Sequence, residues 1–201
     1  VVCTGSSCVY TPNPGFSGTD TYTYQVCLAA PNQAVCDTAV VTITVAATIN
    51  ADDDDFTATP INGGNGGTTA SVIGNDDVNG GTSNAVIGTN VTLTPGASPN
   101  PGLAMNADGT ITVAAGTPAG TYQYPYTICT LPATTPATCD TAIATVVVSA
   151  ATITAVDDTA TTPANTPVTT VVTTNDTNVG GTIDPNSVTV TANPANGTVV
   201  C

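Results

Sequence analysis

The sequence predicts an all-β protein built as a tandem array of β-sandwich modules of about 100 residues each. Three observations carry that expectation. β-branched residues alternate with Thr in short runs, the pattern of pleated strands with one face buried. Gly, Pro and Asn punctuate those runs throughout the chain. One stretch also occurs twice: TYTYQVC followed by CDTAVVTITV, ending at Val45, and TYQYPYTIC followed by CDTAIATVVV, ending at Val148. Cys27 and Cys129 stand 102 positions apart, and Cys36 and Cys139 stand 103 apart. That spacing is one domain length.

The two copies divide the chain into three parts. Residues 1–47 form the C-terminal half of a module, 48–149 a complete module, and 150–201 the N-terminal half of the next. The halves match the middle piece by piece. AATI at 46–49 recurs at 150–153, GNDDVNGGT at 74–82 resembles TNDTNVGGT at 174–182, and NVTLT at 90–94 resembles SVTVT at 187–191. Val199-Val200-Cys201 repeats Val1-Val2-Cys3, so a period of 198 residues is expected. In that period adjacent copies follow head to tail, and Cys201 stands in the place of the next Cys3.

Within the middle module, strands are expected near Phe56–Pro60, Thr68–Ile73 and Val91–Pro95. NADG at 106–109 reads as a tight turn feeding a strand at Thr110–Ala114. Thr121–Cys129 and Cys139–Ser149 complete the set. Seven short strands in this length fit an immunoglobulin-like sandwich. Tyr22, Tyr24, Tyr122, Tyr124 and Tyr126 alternate along the strand that ends in Cys, which suits core packing with hydroxyls at the rim.

The composition excludes several partners. The chain has no Lys, Arg, His, Glu or Trp, and its 14 acids are all Asp, for a net charge of −14. Nothing is present to neutralise a phosphate, so nucleic acid and anionic membrane surfaces are not expected as partners. No apolar run approaches the ~20 residues of a membrane helix. Catalysis is also disfavoured: without His, Lys, Glu or Arg, Asp is the main base left, and Asp37 and Asp140 begin strands of different modules.

Seven Cys resolve by position. Cys3 and Cys8 flank TGSS, while Cys27/Cys36 and Cys129/Cys139 flank short loops. Three local disulfides in an oxidising compartment are expected over zinc, for there is no His and no C-x2-C pair. Cys201 would pair across the period boundary with the following Cys8.

The acids gather at one end of each module. The first strand's start, the second strand's end and the last hairpin's tip share a pole in this fold. Asp52, Asp53, Asp54, Asp55, Asp76, Asp77 and Asp140 would converge there, as would Asp157, Asp158, Asp176 and the following period's Asp37. With no cation in the chain they must splay into water, take up protons, or hold a hard cation such as Ca2+.

The stretches ITAVDDTATTPANTP, TNDT, NGTVV and YTPNPGFSGTDTYTYQVC resemble the bacterial Ig-like and cadherin-like repeats of giant surface proteins. DDDDFTATPINGGNGG and MNADGTITVAAGTPAGTYQYPYTIC are similar to repeats of cell-surface adhesins in gliding Bacteroidota, exported by the type IX secretion system. The resemblance implies an extracellular, cell-surface stalk or adhesive filament whose partners include surface glycans or other cells, and cadherin-like relatives imply Ca2+ at module junctions. Thr38, Thr141 and Thr159 sit in Asp-Thr-Ala, which resembles an O-glycosylation signal of secreted Bacteroidota proteins; each is equally readable as an ordinary strand Thr. A binding module that contacts its ligand directly and a spacer of a secreted enzyme are the alternatives.

Overall fold

The computed structural model describes residues 1–131 and 138–201. The first 47 residues form two hairpins. β1 (Val2–Thr4) and β2 (Ser7–Val9) pair with Cys3 opposite Cys8. β3 (Gly18–Cys27) and β4 (Cys36–Val45) run antiparallel over their whole length, from Gly18 opposite Val45 to Cys27 opposite Cys36.

The central part contains β5 (Ile49–Asn50), β6 (Asp54–Asp55), β7 (Ile61–Asn62), β8 (Gly67–Thr68), β9 (Asp77–Val78), β10 (Val91–Pro95), β11 (Leu103–Met105), β12 (Ile111–Val113), β13 (Gly120–Thr130) and β14 (Cys139–Ser149). One sheet has the order β10-β13-β14-β6, with β7 also on the free side of β14. The other has the order β11-β12-β8. Side chains alternate on β13 and β14, so Tyr124, Tyr126, Ile128, Ala142, Ala144, Val146 and Val148 face inward while Thr121, Gln123 and Thr141 face water. They meet Leu103, Ile111 and Val113 of the facing sheet, and Val72, Val78 and Val91 close the ends. The result is an immunoglobulin-like sandwich whose buried core residues lie between Val72 and Val148, with Ile49, Ala51, Phe56 and Ile61 packed against them. Each fully buried Val or Ile contributes roughly 1.5–3 kcal/mol relative to exposure.

In the last part, β15 (Thr152–Thr154) pairs with β16 (Thr177–Val179), and a 3-10 turn, Pro185–Ser187, is capped by the Asp184 carboxylate. The rest of this part is irregular, with turns at 164–165, 172–173 and 195–196, and is mostly exposed. Among the described residues, no strand of 1–47 or of 150–201 joins the central sheets.

Two expectations need correction. Phe56–Pro60 is a turn, not a strand: the Asp55 carboxylate accepts the Thr57 amide at 2.8 Å, and the Phe56 carbonyl accepts the Thr59 amide at 3.1 Å. The expected strand is split into β6 and β7 on either side, and both pair parallel with β14. Of Thr68–Ile73 only Thr68 lies in a strand; beyond it the chain holds the facing sheet through single bonds, Thr69 to the Ile111 carbonyl and Val72 to the Gly109 carbonyl, both 3.0 Å. The NADG turn is as expected. Gly109 takes φ +85°, and Asp108 accepts both the amide and the hydroxyl of Thr110. The β5–β9 pair and β11 carry no pattern that the sequence reading detected.

Candidate functional site

The acidic pole of the central sandwich is the most polar buried region of the described chain. β13 turns Tyr126 inward, and its hydroxyl reaches the pole through the end of the core. There it lies 3.1 Å from both the Asp52 and the Val72 carbonyls, and 3.3 and 3.4 Å from the two oxygens of Asp76. Asp76 is wholly buried and also accepts the Asp52 amide at 2.9 Å. Asp54, from β6, is buried beside them, and its Oδ2 has no hydrogen-bond partner.

One hydroxyl proton cannot satisfy three acceptor groups. A proton on a carboxyl can, because a neutral carboxylic acid donates back to the hydroxyl or to a carbonyl. Burial accordingly pushes Asp54 up to about 7 and Asp76 up to about 6, with the neighbouring Asp charges adding to the rise and the Tyr126 hydrogen bond opposing it. Burial and the two carboxylates drive the Tyr126 hydroxyl further from ionisation. The pole takes up protons where no basic side chain exists to pair with it.

The remaining expected cation ligands are spread around this centre. Asp53 accepts the Ile143 amide at 2.8 Å, and Asp140 accepts the Ala51 amide at 3.0 Å and the Thr141 amide at 2.9 Å. Asp55 is tied into the Thr57 turn, Asp77 accepts the Ser83 amide, and Asp52 is exposed. So the acids do gather at one pole, but they serve as acceptors for backbone amides. Among the described residues, no three of them come together closely enough to hold a metal ion.

In the last part, Asp176 accepts the Val156 amide at 2.8 Å, and the Asp157 carbonyl accepts Asn175 at 3.1 Å. Asp157 and Asp158 are exposed, and Asp37 on β4 accepts the neighbouring Thr38 amide. Thr38, Thr141 and Thr159 are all exposed.

Disulfides join Cys3 to Cys8, Cys27 to Cys36 and Cys129 to Cys139. Cys201 is free and exposed. Each bridge lies at the loop end of its hairpin, at the last pair before the loop in β3–β4 and β13–β14 and one pair from the turn in β1–β2.

The sandwich meets its neighbours at opposite poles. At the acidic pole Asn79, in the left-handed region at φ +54°, donates to the Gly15 carbonyl at 3.3 Å and to the Ser17 hydroxyl at 3.0 Å, while its own Oδ1 accepts the Thr48 amide. A cleft of about 250 Å³ remains there, lined by Ser17, Asn79, Asn84, Asn90 and Thr130 among others. At the far pole Asn62 donates to the Ala150 carbonyl, and Gly64 packs against Gly180 so closely that a Cβ would strike the Gly180 carbonyl.

Residues 1–44 match the family model of the bacterial Ig domain. The match ends one residue before the end of β4, so it covers the four strands of the first part and none of the central sandwich. β13 and β14 repeat the pairing and the disulfide of β3–β4, which lie in the matched stretch. No curated protein matches the chain.

The sequence reading missed the Asp54–Asp76–Tyr126 centre as a unit. The signal was there in two halves, an inward Tyr on an alternating strand and an Asp following Asn in a chain without a cation.

Proposed function

We propose that this chain is a non-catalytic structural segment of a long extracellular bacterial surface filament or adhesin stalk. The observation that carries the proposal is the way the sandwich is joined, by direct polar bonds at both poles, so that successive units continue in one line of connection rather than folding onto each other. The bacterial Ig match and the hairpin disulfides support the same reading, since the bridges persist in an oxidising compartment. Exposed Thr38, Thr141 and Thr159 are the positions where O-glycans would be carried on such a stalk.

The role would then lie in reach and in resistance to unfolding. A chain without Lys or Arg offers trypsin-like proteases no cleavage site. Each sandwich would add about 40 Å of length, from strands of 10–11 residues at roughly 3.3 Å per residue plus loops. Antibody labelling of intact cells combined with electron microscopy tests the proposal. Label on the surface of non-permeabilised cells, along filaments, is the expected result; label confined to the cytoplasm overturns it.

A further inference from the structure

Beside the buried acids lies a cleft that carries no charge. It is the cavity of about 250 Å³ that Asn79 helps to line, and none of the 14 Asp reaches its wall. That volume is below the ~300–1,000 Å³ of pockets for drug-sized ligands, so it suits a single small ring. Asn84, Asn90 and Thr130 of the central sandwich supply polar lining, and Val78 and Leu131 supply apolar lining.

The two carboxamides are held rigidly and are not used up. Asn84 accepts the Val78 amide at 2.7 Å and donates to the Val78 carbonyl at 3.0 Å. Asn90 accepts the Val86 amide at 2.6 Å and donates to the Asn84 carbonyl at 2.8 Å. A carboxamide carries two N–H donors, so each keeps one in reserve on a side chain already fixed at both ends.

Thr130 is the group that folding alone does not explain. It is 3% exposed, and its Oγ1 has no hydrogen-bond partner among the described residues. Leaving a buried hydroxyl unpaired costs about 1–3 kcal/mol. The hairpin does not demand a hydroxyl there. Aligned on their disulfides, β13–β14 and β3–β4 put Thr130 and Leu28 at the same position, one residue past Cys129 and Cys27. Their backbone amides are used alike, Thr130 donating to the Thr138 carbonyl at 2.9 Å and Leu28 to the Val35 carbonyl at 3.0 Å. The hydroxyl is an addition to the hairpin, and it faces no partner of its own chain.

We infer that this cleft binds one neutral pyranose ring, a free hexose or the terminal residue of a glycan, with Thr130 bonded to a ring hydroxyl. A sugar hydroxyl both donates and accepts, which matches a Thr hydroxyl beside two spare N–H donors. The ring's C–H groups lie against Val78 and Leu131. An anionic ligand finds no cation to pair with in a chain of net charge −14. The inference goes beyond the stalk reading, which needs no ligand: saturable binding by a chain found inside cells refutes the stalk and leaves the cleft's role standing.

Nuclear magnetic resonance titration of the isotope-labelled 201-residue chain with glucose, galactose and mannose tests it. The expected result is a saturable shift of the Asn84 and Asn90 side-chain amides and the Thr130 backbone amide with at least one sugar, and none with glucuronate. Methyl glycosides separate the two sources. Equal binding of the glycoside assigns the cleft to a glycan's terminal residue and its loss to the free sugar, and either supports the inference. Thr130→Val keeps the side chain's shape and removes the hydroxyl. It is expected to weaken binding by about 10-fold, the worth of one hydrogen bond. Without sugar it is expected to raise the melting midpoint, because a methyl replaces an unpaired buried hydroxyl. A lowered midpoint gives the hydroxyl a structural role and overturns the inference. Unchanged binding by the variant, or shifts scattered over the surface, also overturns it. So does the lack of any saturable shift up to roughly 100 mM, where a ligand of millimolar affinity fills its site, and the cleft then holds water only.

Discussion

The Tyr126 hydroxyl lies 3.3 Å from Oδ1 of Asp76, in a fully buried position, with a second carboxylate, Asp54, beside them. Burial of these two carboxyls, which outweighs the opposing Tyr126 hydrogen bond, makes stability depend on pH in a direction opposite to the usual carboxylate. Asp54 and Asp76 have folded values of about 7 and about 6, above their ordinary value of 3.8. Between pH 4 and 7 the folded state therefore binds more protons than the unfolded state, so stability falls as pH rises through that window and levels off above it. Each group that is protonated only when folded changes stability by about 1.4 kcal/mol per pH unit. Thermal melts at pH 5 and pH 8 are expected to show the higher midpoint at pH 5. Asp54→Asn is expected to raise the midpoint at pH 8 and flatten the profile; an unchanged slope would show that Asp54 does not carry the effect.

Tyr126→Phe removes the only hydroxyl shared by the Asp52 and Val72 carbonyls and Asp76. Leaving buried acceptors without a donor costs about 1–3 kcal/mol. Tyr124→Phe provides the comparison, since the Tyr124 hydroxyl only accepts the Met105 amide, at 3.4 Å. Urea unfolding is expected to place Tyr126→Phe well below the parent chain, with Tyr124→Phe within about 1 kcal/mol of it. Equal losses for the two would remove the special role given to Tyr126.

Most of the sandwich was legible because its long strands announce themselves. β13 and β14 alternate without interruption, and their Cys residues mark the hairpin's mouth, so both were found to within a residue or two. The strands that escaped are two or three residues long and are held by pairing rather than by pattern, as with β5 on β9. Phe56–Pro60 misled because Asp55 bonds its own backbone two residues on and breaks a run that looks extended. Convergence of acids at one pole followed from topology. Their division into buried proton holders and exposed amide acceptors did not, because it depends on the angstrom-scale depth of Asp54 and Asp76 beneath Tyr126.

Gly64 and Gly180 fix the far joint by contact of backbone on backbone. In Gly64→Ala the new Cβ collides with the Gly180 carbonyl, and a carbonyl has no flexible end to swing aside, so the joint must open. Residues of the central core are untouched. The midpoint of the main melting transition is expected to stay within a degree or two, while hydrogen exchange at the Gly64 amide, which donates to Asn62 at 2.9 Å, accelerates. A large drop in the main transition would show instead that the joint and the core unfold as one.

The bridges differ in what they protect. Cys129–Cys139 closes a hairpin whose strands carry half of the core, whereas Cys27–Cys36 closes β3–β4, which is outside it. A loop of about ten residues gives an entropic contribution of roughly 2–3 kcal/mol in either case. For Cys129 and Cys139 that contribution acts on the central sandwich, because ten strand pairs from Gly120–Val148 to Cys129–Cys139 form only if the hairpin closes. The double replacement of both by Ala is expected to lower the main melting midpoint by about 8–24 °C, at roughly 4–8 °C per kcal/mol for a domain of this size. The matching replacement of Cys27 and Cys36 removes a bridge of similar loop length, yet in a dilute single copy it is expected to leave that transition where it was. Scanning calorimetry of the two double variants, side by side, checks the contrast; equal shifts would mean that β3–β4 unfolds together with the central sandwich.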